Sequence, residues 1–335
     1  MEPIQKIPLE QIDLLDETFS VNFMPDLQRL RSSIEEIGLI QPVLLKRKLK
    51  GYQIISGFRR ISVMKELGEL EVESRVFEER ETDELRLFSV CLHENLTTRG
   101  FNAVEKAIAL DKLIDRFQID LLVVIKNFLP SLALEPNEKI LNTYLSLARM
   151  EDDMKQYVLR EEVSRSNIRK LSALSSDDQR AFLSLACPLK LGENRLREIL
   201  TFLEEISRRN RWRARDILER SEIQAILSQE ELTPSQKTDR IKKILMNLRY
   251  PKMHRLEEEF EKKRKDLNLP SRVFLHHHPF FEGKGLRVEF QFETMKEYRS
   301  LLGALLNLAD KKEFEELVES GEQAPNPRVT VSLGQ

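Results

Sequence analysis

The chain has 335 residues, with 54 lysines and arginines against 56 aspartates and glutamates, a net charge of −2, and 41% hydrophobic and 33% charged content. That length exceeds the usual single domain, so two or three separate cores are expected. No apolar run approaches the roughly 18 residues that span a bilayer, and the balanced charge excludes nucleic-acid binding through the whole-molecule field, leaving only a local basic patch.

Cys91 and Cys187 lie far apart without ligand-like spacing, which favours reduced thiols in a cytoplasm, and "MEPIQKIPLEQIDLL" carries no secretory pattern. In "DLQRLRSSIEEIG", Leu27, Leu30, Ile34 and Ile37 recur at helical spacing before Gly38, which predicts a short amphipathic helix with a glycine C-cap. "PVLLKR" and "YQIIS" read as strands joined through "KLKG", and "ISVMKELG" as a helix closed by Gly68. A third strand follows around "VESRVF", then a helix from Thr82 through "ELRLFSVCLHEN".

Where a strand passes through Gly57 into a helix, free backbone N–H groups and the positive end of the helix dipole converge. Arg59 and Arg60, on that surface turn, suit phosphate; the alternative is pairing with Glu35, Glu36 or Glu66 on an exposed helix face. In "HENLTTRGFNAVEKA", Glu94 falls near a helix end, where the macrodipole disfavours an anion unless a cation stands close. With Asn95 it offers oxygen ligands of the kind Mg²⁺ accepts beside a nucleotide phosphate. Asn102 and Glu105 form the N-x-x-E pattern of a capping box for the helix "VEKAIALDKLIDRF".

Together these segments resemble the N-terminal domain of the ParB family of chromosome and plasmid partition proteins. "IEEIGLIQPVLL" carries the resemblance, as do "YQIISGFRR" against the family's G-E-R-R box and "ENLTTRGFNAVEKA" against its E-N-L-Q-R box followed by N-P-I-E-E-A. The likeness covers residues 4 to about 117, and more loosely continues to about 206. It implies an α+β, multi-domain chain: a small mixed ParB/sulfiredoxin-like nucleotide-binding domain over 1–101, an all-helical DNA-binding middle over 102–249 with a helix-turn-helix-like segment, a charged helix plus β-β-α dimerisation unit over 250–320, and a flexible tail over 321–335.

The resemblance further implies a cytoplasmic, nucleoid-associated homodimer that binds CTP with Mg²⁺ and closes as a clamp on DNA, with a ParA-type ATPase as a further partner. Carried over residue by residue, Gly57, Arg59 and Arg60 meet the triphosphate, Glu94 and Asn95 hold the metal, and Asn102 and Glu105 lie beside the nucleotide. Three departures bear on this. Phe58 replaces the glutamate of G-E-R-R, leaving at most a weak CTPase; Thr98 takes the place of the E-N-L-Q-R arginine, with Arg99 one residue on; Ala103 replaces the proline of N-P-I-E-E-A. Sulfiredoxin and a nucleotide-dependent serine kinase share the fold, so a kinase or phosphohydrolase and a degenerate scaffold are the alternatives. No cysteine adjoins the "GFRR" turn, which argues against sulfiredoxin chemistry.

In the helical middle, "LALEPNEKILNTYLSL" occupies the helix-turn-helix position, with Ile140, Tyr144 and Leu147 on one face. Lys139 and Asn142 are its candidates for reading base edges, while Glu135 and Glu138 would repel phosphate. In "SRRNRWRARD", Arg208, Arg211 and Arg215 are predicted to share one helical face as a phosphate-binding stripe. The alternative is intrahelical pairing of Glu204 with Arg208, Glu205 with Arg209 and Arg215 with Glu219. "RVFLHHHPF" and "LRVEFQFET" read as a hairpin before the helix "MKEYRSLLGALLNLA", a unit that buries too little alone and gains by pairing with a second copy.

Overall fold

The computed structural model describes residues 3–78, 83–277 and 285–320. The expected tail 321–335 and the predicted helix start at Thr82 lie outside them. Five strands, β1 (Ile4–Pro8), β2 (Ile12–Asp13), β3 (Val43–Arg47), β4 (Tyr52–Ser56) and β5 (Glu71–Phe77), form one mixed sheet in the order β1-β5-β3-β4-β2. β3 runs parallel to β5 and antiparallel to β4, β1 is antiparallel to β5, and β2 parallel to β4. Every residue of β4 is buried, the polar Gln53 and Ser56 included, whereas burial alternates along β5.

The sheet's core gathers Ile7, Val43, Leu45, Ile54, Val72 and Val76 with Ile61 and Val63 of the following helix. α1 (Gln28–Ile37) stops at Gly38, whose N–H donates to the Ile34 carbonyl at φ +78, the glycine cap expected from the sequence. α2 (Phe58–Glu66) leaves β4 through Gly57 alone. α3 (Glu84–Thr98) is N-capped by Asp83, buries Leu87, Phe88, Cys91 and Leu92, and packs on β4. α4 (Ala103–Asp111) starts at Asn102 with the complete capping box: the Asn102 side chain accepts from Glu105 N, and Glu105 accepts from Asn102 N.

Two compact units result, one of residues 1–200 with 213–219 and one of 201–212 with 220–335. The boundaries expected after 101 and 249 fall inside them. At the first, Glu105 ties α4 to Arg59 of the sheet domain; at the second, a new helix starts at Pro251 directly after Tyr250, with no linker between. In the first unit, the helix Glu138–Ala148, capped by Asn137, buries Leu141, Tyr144 and Leu147 and packs on α4. Lys139 and Asn142 stand on its exposed side.

The second unit holds helices Pro234–Arg249 and Pro251–Asp266, then the hairpin β6 (Val273–His277) and β7 (Leu286–Phe290), paired from Val273↔Phe290 to His277↔Leu286. After it come helices Met295–Ala309 and Lys312–Ser320. The last of these was not expected. It supplies Leu317 to a small core with Phe260, Leu267, Leu275 and Leu308. Among the described residues no helix is long and apolar enough to cross a membrane.

Candidate functional site

The site begins at Gly57. Its φ of +106° lies in the left-handed region, and an added Cβ would meet Val43 Cγ1 at 2.7 Å, so only glycine lets β4 turn this tightly into α2. The turn leaves the N-terminus of α2 without a side-chain cap and with no acidic residue in its first turn. Such an end presents unpaired backbone N–H groups and partial positive charge.

Arg59, Arg60 and Arg99 converge on this turn and, with Asn22, Phe58 and Glu94, help line a cavity of about 190 Å³. Arg60 is pinned by three acceptors: its Nη1 donates to the carbonyls of Gln41 (3.0 Å) and Pro42 (3.1 Å), and its Nη2 to Glu94 Oε1 (2.7 Å). The second oxygen of Glu94 accepts from Ser56 Oγ at 2.5 Å. Glu94 therefore has the nearby cation that its place at a helix end called for, and that cation is Arg60.

Arg59 donates from Nε to Asn22 Oδ1 (2.9 Å) and from Nη2 to Glu105 Oε1 (2.5 Å). Arg99 reaches the same carboxylate at Oε2 (2.8 Å), and also Asn95 Oδ1 (2.9 Å) and Asn22 Oδ1 (3.3 Å). Glu105 is only 1% exposed and so bridges two guanidiniums while capping α4. Burial and the adjacent Arg99 charge pull the Arg59 pKa below the usual arginine range, against the opposing pull of Glu105.

The alternative pairing of the arginines with Glu35, Glu36 or Glu66 is not the arrangement found; their carboxylates are Glu94 and Glu105. The reading of Arg59 and Arg60 as a free surface turn also needs correction, because both are part-buried and ion-paired. Asn102 and Glu105 do not line the cavity and act on it through Arg59 and Arg99. Phe58 packs on the sheet core where the motif has a carboxylate.

Two residues of the cluster were not marked from the sequence as ligands. Arg99 is one position late for the motif, but α3 ends at Thr98, and as the C-cap Arg99 folds back into the cluster. Asn22 comes from a loop about 37 positions away from its partner Arg59, which no local pattern connects.

The floor of the cavity includes Cys91, 1% exposed, whose thiol donates to the Phe19 carbonyl; burial, then Glu94, pushes it up to about 12. Cys187 is exposed. A thiol reagent such as Ellman's at pH 8 is expected to titrate one thiol per native chain and two after denaturation, because the thiolate is the reactive form. Fast reaction of both in the native protein would show that the floor opens.

Of the DNA-binding candidates, the helix carrying Arg208 ends at Asn210 and Arg211 follows at φ +57°. Arg208, Arg211 and Arg215 therefore do not share one continuous helical face, which corrects the predicted stripe. Arg208 pairs with Glu204 (2.7 Å) and Arg215 with Glu219 (2.8 Å), as the alternative reading held, but its third pair is corrected: Glu205 pairs with Arg249, and Arg209 donates to the carbonyls of Leu248 and Arg249.

Comparison with known proteins finds a family similarity at the N-terminal end of the chain. The model described as ParB N-terminal domain matches residues 1–96. Residues 1–96 thus resemble the ParB N-terminal domain. A nucleoid occlusion protein of Lysinibacillus sphaericus is 27% identical over 177 residues, covering 52% of this chain and 56% of that protein. The chromosome-partitioning protein ParB of Myxococcus xanthus is 32% identical over 117 residues, 35% of this chain and 38% of that one. The chain thus spans about half the length, or less, of these curated relatives. Among solved structures, the truncated ParB of Caulobacter crescentus complexed to the centromeric parS site covers 58% of this chain and 95% of its own at 21% identity, with a TM-score of 0.34. The same protein complexed with CTP-gamma-S aligns at 22% identity over 52% of this chain and 94% of its own, with a TM-score of 0.26. At those scores the superpositions are loose, and the similarity to the ParB N-terminal domain rests on the sequence match alone.

Proposed function

We propose that the chain is a ParB-like DNA-binding protein whose N-terminal domain responds to a nucleoside triphosphate, CTP by family resemblance, bound at the Gly57 turn. The observation that carries this reading is the convergence of an uncapped helix N-terminus and three arginines on one cavity. Its 190 Å³ is below the roughly 300–1,000 Å³ of pockets that enclose whole drug-sized ligands, so it suits the phosphate tail, with the nucleoside at its mouth. Arg59 and Arg99 share Glu105 with the first turn of α4, so an anion that draws on either guanidinium also acts on the start of the helical region beyond.

The expected metal ligands fit Mg²⁺ poorly. Both oxygens of Glu94 are engaged by Arg60 and Ser56, and Asn95 Oδ1 by Arg99. DNA is the proposed macromolecular partner, in keeping with the partition and nucleoid occlusion relatives. A homodimer through the second unit is proposed from its small core and its exposed Met295, Leu306 and Phe292, and a ParA-type ATPase as a further partner.

Calorimetric titration with each of the four NTPs, with and without duplex DNA, tests the reading. One saturable site per chain for CTP is expected. Absence of heat with every NTP would favour the rival reading of a scaffold without nucleotide, which draws on the carboxylate pairing of all three arginines. For DNA, replacing Arg208, Arg211 and Arg215 together by alanine is expected to flatten the slope of log affinity against log salt by about 1 unit, the share of one phosphate contact. Arg208 and Arg215 are held by glutamates, leaving Arg211 as the contributor. An unchanged slope would place the phosphate contacts elsewhere.

A further inference from the structure

We propose that this cavity binds its triphosphate without a divalent cation, Arg59, Arg60 and Arg99 supplying the positive charge, and holds it unhydrolysed. The inference rests on the nucleotide reading above and adds how the bound anion is neutralised and what becomes of it.

Among the described residues, Glu94 is the one carboxylate lining the cavity. Its oxygens accept from Arg60 Nη2 at 2.7 Å and Ser56 Oγ at 2.5 Å. Mg²⁺ demands a near-ideal octahedron of oxygens at about 2.0–2.1 Å, and to enter it Glu94 would have to leave Arg60. That guanidinium is anchored by the carbonyls of Gln41 and Pro42, so Mg²⁺ entry would break its ion pair with Glu94 without freeing it to move. Asn95 offers no relief, since Arg99 holds its oxygen and its Nδ2 donates to the Cys91 carbonyl at 2.9 Å. Among the described residues no group of three or more His, Cys, Asp or Glu side chains is placed to hold a metal ion.

The arginines, by contrast, keep donors in reserve. A guanidinium carries five N–H groups. Arg59 spends one on Asn22 and one on Glu105, which leaves both N–H groups of Nη1 without an acceptor among the described residues. Arg60 spends Nη1 on two carbonyls and one N–H of Nη2 on Glu94, leaving Nε and the second N–H of Nη2. Three guanidiniums face two carboxylates, Glu94 and Glu105, so the cluster carries one uncompensated positive charge beside the uncapped end of α2. An anion can dock there without dismantling any ion pair, and the net positive charge with the spare guanidinium N–H groups offsets part of its charge without a metal.

Hydrolysis needs a base that takes a proton from water as it attacks phosphorus. Phe58 puts an apolar ring where the related motif has a carboxylate, Glu94 is committed to Arg60 and Ser56, and Cys91 is a buried thiol hydrogen-bonded to a carbonyl. The remaining lining side chains are arginines, amides, a threonine and hydrocarbons.

The test is calorimetric titration of the full chain with CTP in EDTA and again in MgCl₂, with the mixtures analysed for CDP by ion-exchange chromatography. Affinities within about threefold in the two buffers and no CDP are expected. Arg99→Ala should weaken binding by the same factor in both, and Glu94→Gln should leave the ratio between the two buffers unchanged. A gain of about tenfold or more with Mg²⁺, erased by Glu94→Gln, would overturn the metal-free claim while leaving the nucleotide reading intact. Accumulation of CDP would overturn the claim that the ligand is held unhydrolysed. No binding of any NTP in either buffer would defeat the nucleotide reading itself.

Discussion

Glu105→Ala is expected to lower unfolding stability by about 3–5 kcal/mol, the usual consequence of removing one partner of a buried ion pair. The carboxylate is 1% exposed and receives Arg59, Arg99 and the Asn102 N–H, so its removal leaves two neighbouring guanidiniums facing each other and half of the α4 cap undone. The cap adds about 1 kcal/mol. Against a typical domain stability of about 5–15 kcal/mol, the change is large enough to read from a urea midpoint at unchanged slope. Glu105→Gln, which keeps an acceptor and loses the charge, should fall between the two. A shift under about 1 kcal/mol in Glu105→Ala would mean that the arginines find other partners and that the bridge is incidental.

The second large effect concerns affinity. Arg60→Ala removes charge-assisted hydrogen bonds worth about 1.5–3 kcal/mol and leaves Glu94 unpaired, a negative group on the wall of an anion pocket. The triphosphate affinity should drop by about 100-fold, or about 2.7 kcal/mol. Because part of that loss is repulsion from the freed carboxylate, Arg60→Ala combined with Glu94→Gln should bind more tightly than Arg60→Ala alone. If the double variant is weaker than the single one, Glu94 contributes to binding directly and is more than the latch of Arg60.

Much of this arrangement was legible before any coordinates. The Gly38 cap, the strands "PVLLKR" and "YQIIS", the Gly57 turn and the Asn102–Glu105 capping box all depend on residues within a few positions of one another, where side-chain chemistry and backbone conformation are tightly coupled. β1 and β2 were not read, because five and two residues at the sheet's edges carry too little alternation to register as strands. The burial of Glu105 was hidden for a different reason. Its cap role fully accounts for its place in the sequence, while Arg59 lies 46 positions away and is brought to it only by the packed fold. The arginine stripe failed at Arg211, a non-glycine residue in left-handed conformation, which ends a helix whose polar sequence would otherwise continue.

Hydrogen exchange of the full chain with and without saturating CTP tests the central claim most directly. The account predicts slowed exchange concentrated at the backbone amides of residues 57–61, where the uncapped turn of α2 would meet phosphate, with a second change at 99–106, where Arg99 and the α4 cap share Glu105. Protection confined to other segments, with 57–61 exchanging as in the free protein, would contradict it.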